Sequence, residues 1–286
     1  MTPRRPYTLP LPGRPPLQLG ARTLVMGVLN ITPDSFSDGG LRFDPARAIE
    51  DGLRMLEQGA DIVDVGGEST RPGAEPLAAD EEMRRVLPVV EHLAERGAVV
   101  SIDTYKSVVA EEALARGAAI VNDVHGLRAD ARLASVVAAG GAAVVLMHNR
   151  GTPRDMYREA VYEDAPRDVR HELAAALEAA VAAGIAWTSI VIDPGIGFAK
   201  RAPHSYAVLA RLDELRPLDR PILSGPSRKS FLNAALGERG CDEREWGTAA
   251  AVAASVLFGA HIVRVHDVAH MVDVARVADR IAASYS

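Results

Sequence analysis

Eight short runs of apolar and β-branched residues recur along this chain, and their spacing restricts the fold more than any other feature. They occupy residues 23–30, 61–67, 99–104, 119–124, 143–148, 190–195, 221–225 and 261–267. Between them lie stretches rich in Ala, Leu and Arg, such as 46–57, 80–95 and 169–183, whose apolar residues repeat at helical spacing. Gly59, Gly97, Gly117, Gly184 and Gly259 each fall just before the next run, where a helix stop is expected. Strands that are apolar on both faces and alternate with helices belong in a parallel sheet. Eight such units in 286 residues predict an α/β chain folded as a single-domain (β/α)8 TIM barrel. A doubly wound open sheet is the alternative. It fits less well, because no GxGxxG follows the first run and eight units exceed its usual number. Residues 1–20, with six prolines, read as an N-terminal extension, and residues 21–286 as the barrel.

Composition narrows the function. Apolar residues make up 48% of the chain, enough for a sizeable core. A net charge of −6 argues against nucleic acid or an anionic membrane as the main partner. Cys241 is the single cysteine, so no internal disulfide can form, which suits a reducing compartment. The N-terminus has no apolar run like that of a signal peptide, and no segment approaches the roughly 20 apolar residues of a membrane span. The expectation is a cytoplasmic protein.

The ends of the eight runs carry the chemistry. In order they read LN, GGEST, SIDT, VNDV, LMH, VIDPG, SGPSRKS and RVHD. Strand C-termini of such a barrel open onto one face, where active sites lie. Asn30, Asp103, Asn122, His148, Asp193, Lys229, Arg264 and His266 are therefore expected to converge on one mouth. A single Asx residue there could simply cap a helix or start a turn, but eight polar endings on eight strands are poorly explained that way. Asp103, Asn122 and Asp193 offer carboxylate and amide groups to a ligand rich in N–H donors, such as a flat heterocycle with an amino group. Arg264 and His266, two apart, share a strand face and supply positive charge near the usual phosphate site of these barrels. GPSRKS is not a Walker A loop, but Ser227 and Ser230 before a helical segment at 231–236 suit an anion. Only three of the 32 basic residues are lysines, and Lys106, Lys200 and Lys229 all lie just past strand ends. A compact ammonium differs chemically from a guanidinium, and Lys229 is the one expected to serve the site.

With these residues assembled, the chain resembles the dihydropteroate synthase family of pterin-binding barrels. The resemblance rests on MGVLNITPDSFSDGG, GGESTRPGA, SIDTYK, NDV, MH, DPGIGFAK, GPSRKSF and RVHDV, in the family's order from residue 26 to 268. It implies a transferase that joins 6-hydroxymethyl-7,8-dihydropterin diphosphate to p-aminobenzoate, releasing diphosphate, with Mg²⁺ and as a homodimer. Carried over residue by residue, Asp103, Asn122 and Asp193 would hold the pterin's amino and ring N–H groups, and Lys229 its ring carbonyl. Asn30 would help bind Mg²⁺, and Asn30, Arg264 and His266 the diphosphate. Thr70, Arg71 and Ser230 would sit at the aminobenzoate end. Two departures lie beside these positions: MHNRGTP stands where the family often has MHMQGTP, and DVHGLR where it has a DVSGGR-like run.

Residues 31–40 form a connection longer than the roughly 2–6 residues usual between a strand and its helix, and they end on Gly39–Gly40. The segment reads as a lid whose Phe36 and Pro33 would meet the aminobenzoate ring on closure. Three rival readings remain at this level. A barrel handling a folate methyl group would share the Asp–Asn–Asp cradle but not need the TPDSFSDGG loop or SRKS. A silent paralogue would bind ligand without turnover, although no key position is visibly ablated. A generic phosphate-binding isomerase barrel would leave the cradle unexplained.

Overall fold

The computed structural model describes residues 4–31, 44–69, 75–151, 157–158 and 160–284. Eight parallel strands form one sheet: β3 (Leu24–Asn30), β4 (Ile62–Gly66), β5 (Val100–Asp103), β6 (Ile120–Asp123), β7 (Ala143–Met147), β8 (Ile190–Asp193), β9 (Leu223–Ser224) and β10 (Ile262–Val265). Their order is β8-β7-β6-β5-β4-β3-β10-β9. A parallel bridge between Ile192 and Ile222 joins the two outer strands and closes the barrel. Each strand falls inside one of the eight sequence runs, so the expected (β/α)8 barrel is the fold. The principal helices are α1 (Pro45–Glu57), α2 (Ala79–Glu95), α3 (Ser107–Ala115), α4 (Leu133–Gly140), α5 (Ala165–Ala182), α6 (Ala202–Ala210), α7 (Asn233–Leu236), α8 (Glu245–Leu257) and α9 (Val268–Ala283).

Local sequence sets the helix limits. Asp44 and Asp164 cap α1 and α5 by accepting backbone N–H groups, each just ahead of a proline in the first turn. Asp267 caps α9 in the same way. Behind α1, Gly59 takes φ of +101°, a value that an L side chain rarely adopts, and the chain turns into β4.

Strand parity divides the interior in two. Met26 pairs with Ile62, Val28 with Asp64 and Asn30 with Gly66. Around the barrel Asp64 meets Ser101, and Asp103 meets Asn122. Because side chains alternate along a strand, these residues share the inward set, while their neighbours in sequence face the helices. The inward set is apolar at its lower end, where Leu24, Met26, Ile62, Ile120, Val145, Val191, Leu223 and Ile262 pack together. The outward set joins the helices in the main core, with Val63, Val65, Ile102, Val121, Val144 and Val263 all fully buried.

The floor has a cover. The segment read from sequence as a proline-rich extension holds an antiparallel hairpin of β1 (Tyr7–Leu11) and β2 (Arg14–Leu19), with Leu9 opposite Leu17. Its Leu9, Leu11 and Leu19 are buried in the same cluster as the barrel floor. The hairpin thus closes the end opposite the strand C-termini and leaves the other end as the mouth.

Candidate active site

Polarity appears in the inward set one layer below the mouth. Arg264, third residue of β10, extends across the lumen between two carboxylates. Its Nε donates to Asp64 Oδ2 and its Nη2 to Asp103 Oδ2, both at 2.6 Å. Burial works against the guanidinium's charge, but Asp64 and Asp103 outweigh it and raise its pKa. Asn122 donates its Nδ2 to the same Asp64 Oδ2 at 2.9 Å. That bond fixes the amide's orientation and leaves Asn122 Oδ1 as an acceptor for a ligand. Asp64 is fully buried, and its Oδ1 has no donor among the described residues.

Asp193 ends β8. Its Oδ1 accepts the Gly195 N–H at 2.7 Å, leaving the second oxygen for other donors. Burial raises this carboxyl to about 6, against the Gly195 bond and the nearby Lys229. Burial likewise raises Asp103, with Arg264 pulling it down and Asp64 pushing it up. Lys229 extends its Nζ to 3.7 Å from the centre of the Phe198 ring. Removal from water, then Arg264, bring its ammonium down to about 7, against Asp193 and Asp103. The lumen therefore gathers three carboxylates and an amide around two cations, a set able to accept several N–H donors and to donate to an acceptor.

At the rim, His266 lies two residues beyond Arg264 on the same strand face. Ser227 holds it twice, with Oγ at 2.9 Å from His266 Nδ1 and accepting the His266 N–H at 3.2 Å. Asn30 ends β3 level with Gly66, and its Oδ1 lies near the Gly66 backbone. Ser230 is exposed and opens a short 3-10 turn, Ser230–Leu232, directly after Lys229. The helical segment expected at 231–236 is this turn followed by α7. Pro33, Phe36, Thr70 and Arg71 lie outside the described residues, as does most of the expected lid.

His148 corrects the expectation. Inward parity along β7 runs through Ala143, Val145 and Met147, so His148 falls on the outer side. Its ring meets Glu172 Oε2 of α5 at 3.0 Å and Lys200 Nζ at 2.8 Å, outside the lumen. Two contributors were not picked out from the sequence. Asp64 was hidden inside IVDVG, although a carboxylate embedded in an apolar strand is costly to bury and so is a signal in itself. Phe198, within the glycine-rich DPGIGFAK turn, gave no sign of its place beside Lys229.

Comparison with known proteins agrees with this geometry. Residues 26–266 match the model of the family described as pterin binding enzyme. Dihydropteroate synthase of Mycobacterium leprae is 50% identical over 259 residues, covering 88% of this chain and 91% of that one. The structure of Xanthomonas albilineans dihydropteroate synthase with 4-aminobenzoic acid superposes with a TM-score of 0.89 at 40% identity, covering 97% of this chain and 98% of that one. That of the Burkholderia cenocepacia dihydropteroate synthase complexed with 7,8-dihydropteroate gives 0.87 at 41% identity, covering 98% of both chains. A carboxylate-lined barrel mouth and likeness along nearly the whole length lead to one assignment: the chain belongs to the dihydropteroate synthase family of pterin-binding enzymes.

Proposed function

We propose that this chain joins 6-hydroxymethyl-7,8-dihydropterin diphosphate to p-aminobenzoate, giving 7,8-dihydropteroate and diphosphate. The observation that carries the reading is the lumen set of Asp64, Asp103, Asn122 and Asp193 around Arg264 and Lys229. Asp103, Asn122 Oδ1 and the outer oxygen of Asp193 accept the pterin's amino and ring N–H groups, and Lys229 donates to its ring carbonyl. Arg264 commits Nε and Nη2 to carboxylates, so Nη1 is the nitrogen it turns to the diphosphate, beside His266. Asn30, Arg264 and His266 form the diphosphate end. Pro33, Phe36, Thr70, Arg71 and Ser230 form the aminobenzoate end.

The reaction breaks the bond between the pterin's methylene carbon and the diphosphate oxygen, which leaves with the electron pair. The aminobenzoate nitrogen then forms the new C–N bond and its proton passes to water. Three lumen carboxylates against two cations suit a ring on which positive charge develops, and Arg264 with His266 suits the departing anion. Holding the amine in place supplies the remaining advantage, so no residue acts as a covalent nucleophile or general base.

Among the described residues no group of three or more His, Cys, Asp or Glu side chains is placed to hold a metal. Mg²⁺ arriving with the diphosphate would keep several waters and bind chiefly through the substrate phosphates. Asn30 would add one amide oxygen to it, and the bound ion would neutralise charge on the leaving group. We further place the enzyme in the cytoplasm, which its free Cys241 suits, and as a homodimer, which the family resemblance implies.

The test supplies the pterin diphosphate, p-aminobenzoate and Mg²⁺ and follows diphosphate release. Release that requires the amine is the expected result. Tight pterin binding without turnover would turn the assignment towards a silent relative.

A further inference from the structure

Lys200 is 1% exposed, yet the reaction gives it nothing to do. Its Nζ lies 2.8 Å from His148 Nδ1, 3.1 Å from Gly195 O and 3.0 Å from Phe198 O. On the far side of the imidazole, His148 Nε2 is 3.0 Å from Glu172 Oε2. Glu172 is in turn gripped by Arg150, whose Nε lies 3.0 Å from its Oε1. Counting hydrogens settles the protonation pattern. The ionised Glu172 carboxylate can only accept, so His148 Nε2 carries the ring proton and Nδ1 is left as an acceptor. Three acceptors then converge on the lysine nitrogen, and only the ammonium form has three hydrogens to give them, held against the burial that brings Lys200 down to about 7. A planar guanidinium could not meet acceptors arranged around a point.

What the ammonium holds is the turn that carries the pterin groups. Gly195, whose carbonyl it binds, donates its own N–H to Asp193 Oδ1. Phe198, whose carbonyl it also binds, sets its ring beside the Lys229 ammonium. The turn is pressed so close to the neighbouring strand end that a Cβ on Gly195 would lie 2.0 Å from His148 O. Gly195 and His148 are thus fixed to each other through the backbone and through Lys200 at once.

We infer that Lys200 is the positioning residue of the pterin site: clamped by His148 and Glu172, it fixes through Gly195 and Phe198 where Asp193 and Lys229 stand. The inference rests on the proposal that Asp193 and Lys229 contact the pterin. It assigns His148 and Glu172 as the outer anchor of the same device.

Titration of the pterin diphosphate into the Lys200→Met, Lys200→Arg and Asp193→Asn enzymes tests it, with aminobenzoate KM measured alongside. Lys200→Met is expected to weaken pterin binding about tenfold while aminobenzoate KM stays within about twofold. Lys200→Arg should not restore binding, and the ¹⁵N imidazole signals of His148 should report an Nε2–H tautomer that becomes averaged in the Met variant. A folded Lys200→Met enzyme that binds the pterin like the parent overturns the inference, as does an equal rise for both substrates. Normal pterin binding by Asp193→Asn overturns instead the site assignment on which it rests. Should Lys200→Met fail to fold, Glu172→Gln carries the test, because this side chain is 39% exposed. There a two- to fivefold weakening supports the clamp and unchanged binding refutes it.

Discussion

Arg264 is shared by Asp64 and Asp103, and Asp64 also holds Asn122, so one buried carboxylate orients two residues of the lumen. Asp64→Asn keeps the shape and removes the charge. A charge-assisted bond contributes roughly 1.5–3 kcal/mol, so pterin diphosphate affinity should fall by at least about tenfold, measured by calorimetric titration. Affinity within twofold of the parent would sink the coupling. Asp103→Asn should also weaken pterin binding, and Ser230→Ala should mainly raise aminobenzoate KM. Equal effects of these two on both substrates would count against the division of the site. Most of these residues were legible because they stand at strand ends, where parity and polarity combine into a readable signal. His148 was misread because the LMH ending gives no count of where its last inward residue falls; one residue of register moves a side chain to the opposite face. Lys200 could be singled out as one of three lysines, but its acceptors come from two loops and only the folded chain brings them together.

At the scale of elements, the eight strands declared themselves through continuous apolar runs, whereas the β1–β2 hairpin did not. Prolines hid it, since Pro10, Pro12, Pro15 and Pro16 argue against a strand unless it lies at a sheet edge, and a two-stranded ribbon has only edges. Leu9 is fully buried where this hairpin covers the floor. Leu9→Ala should cost about 2–5 kcal/mol in urea unfolding and leave kcat and both KM values unchanged, because the mouth is at the other end. A second tie holds the same segment: His261 accepts the Ile222 N–H at Nδ1 and meets Arg5 O at 3.0 Å through Nε2. Burial lowers this imidazole from 6.5 to about 4. The unfolded chain takes up its proton below pH 6.5 while the fold refuses it until about 4. The stability this neutral imidazole contributes is therefore full above pH 6.5 and is lost as the pH drops towards 4, by up to ~1.4 kcal/mol per pH unit. Burial lowers His148 to about 4 in the same sense, while the raised carboxyls of Asp103 and Asp193 act oppositely, so His261→Gln should make the loss of stability between pH 6.5 and 4.5 shallower by up to ~1.4 kcal/mol per pH unit. An unaltered slope in the variant would show that other groups govern acid unfolding.

For the molecule as a whole, the barrel assigns each surface a different part. The hairpin seals the floor, the strand ends make the mouth, and the helices present an outer wall that should be polar if the chain works alone. On α8 and α9, which pack against each other, it is not. Trp246 is 86% exposed, and Val277 and Ile281, one turn apart on α9, are 61% and 45% exposed. The opposite face of α9 buries Val268, Met271, Val272, Ala275 and Ala278 against the barrel, so Val277 and Ile281 are not needed for its packing. We propose that, in the homodimer, a second copy of the chain packs against this exposed apolar face. Nothing in the sequence singles out these positions, because an amphipathic helix pattern does not say which apolar stripe meets its own barrel. Replacing both Val277 and Ile281 by Asp puts charges on an exposed face, which costs the single chain little, but would bury them unpaired in a dimer. Sedimentation should therefore show a dimer for the parent and a monomer for the double variant, with an unchanged far-ultraviolet spectrum. A parent that sediments as a monomer removes the basis for the interface, and a double variant that remains dimeric places it on another face.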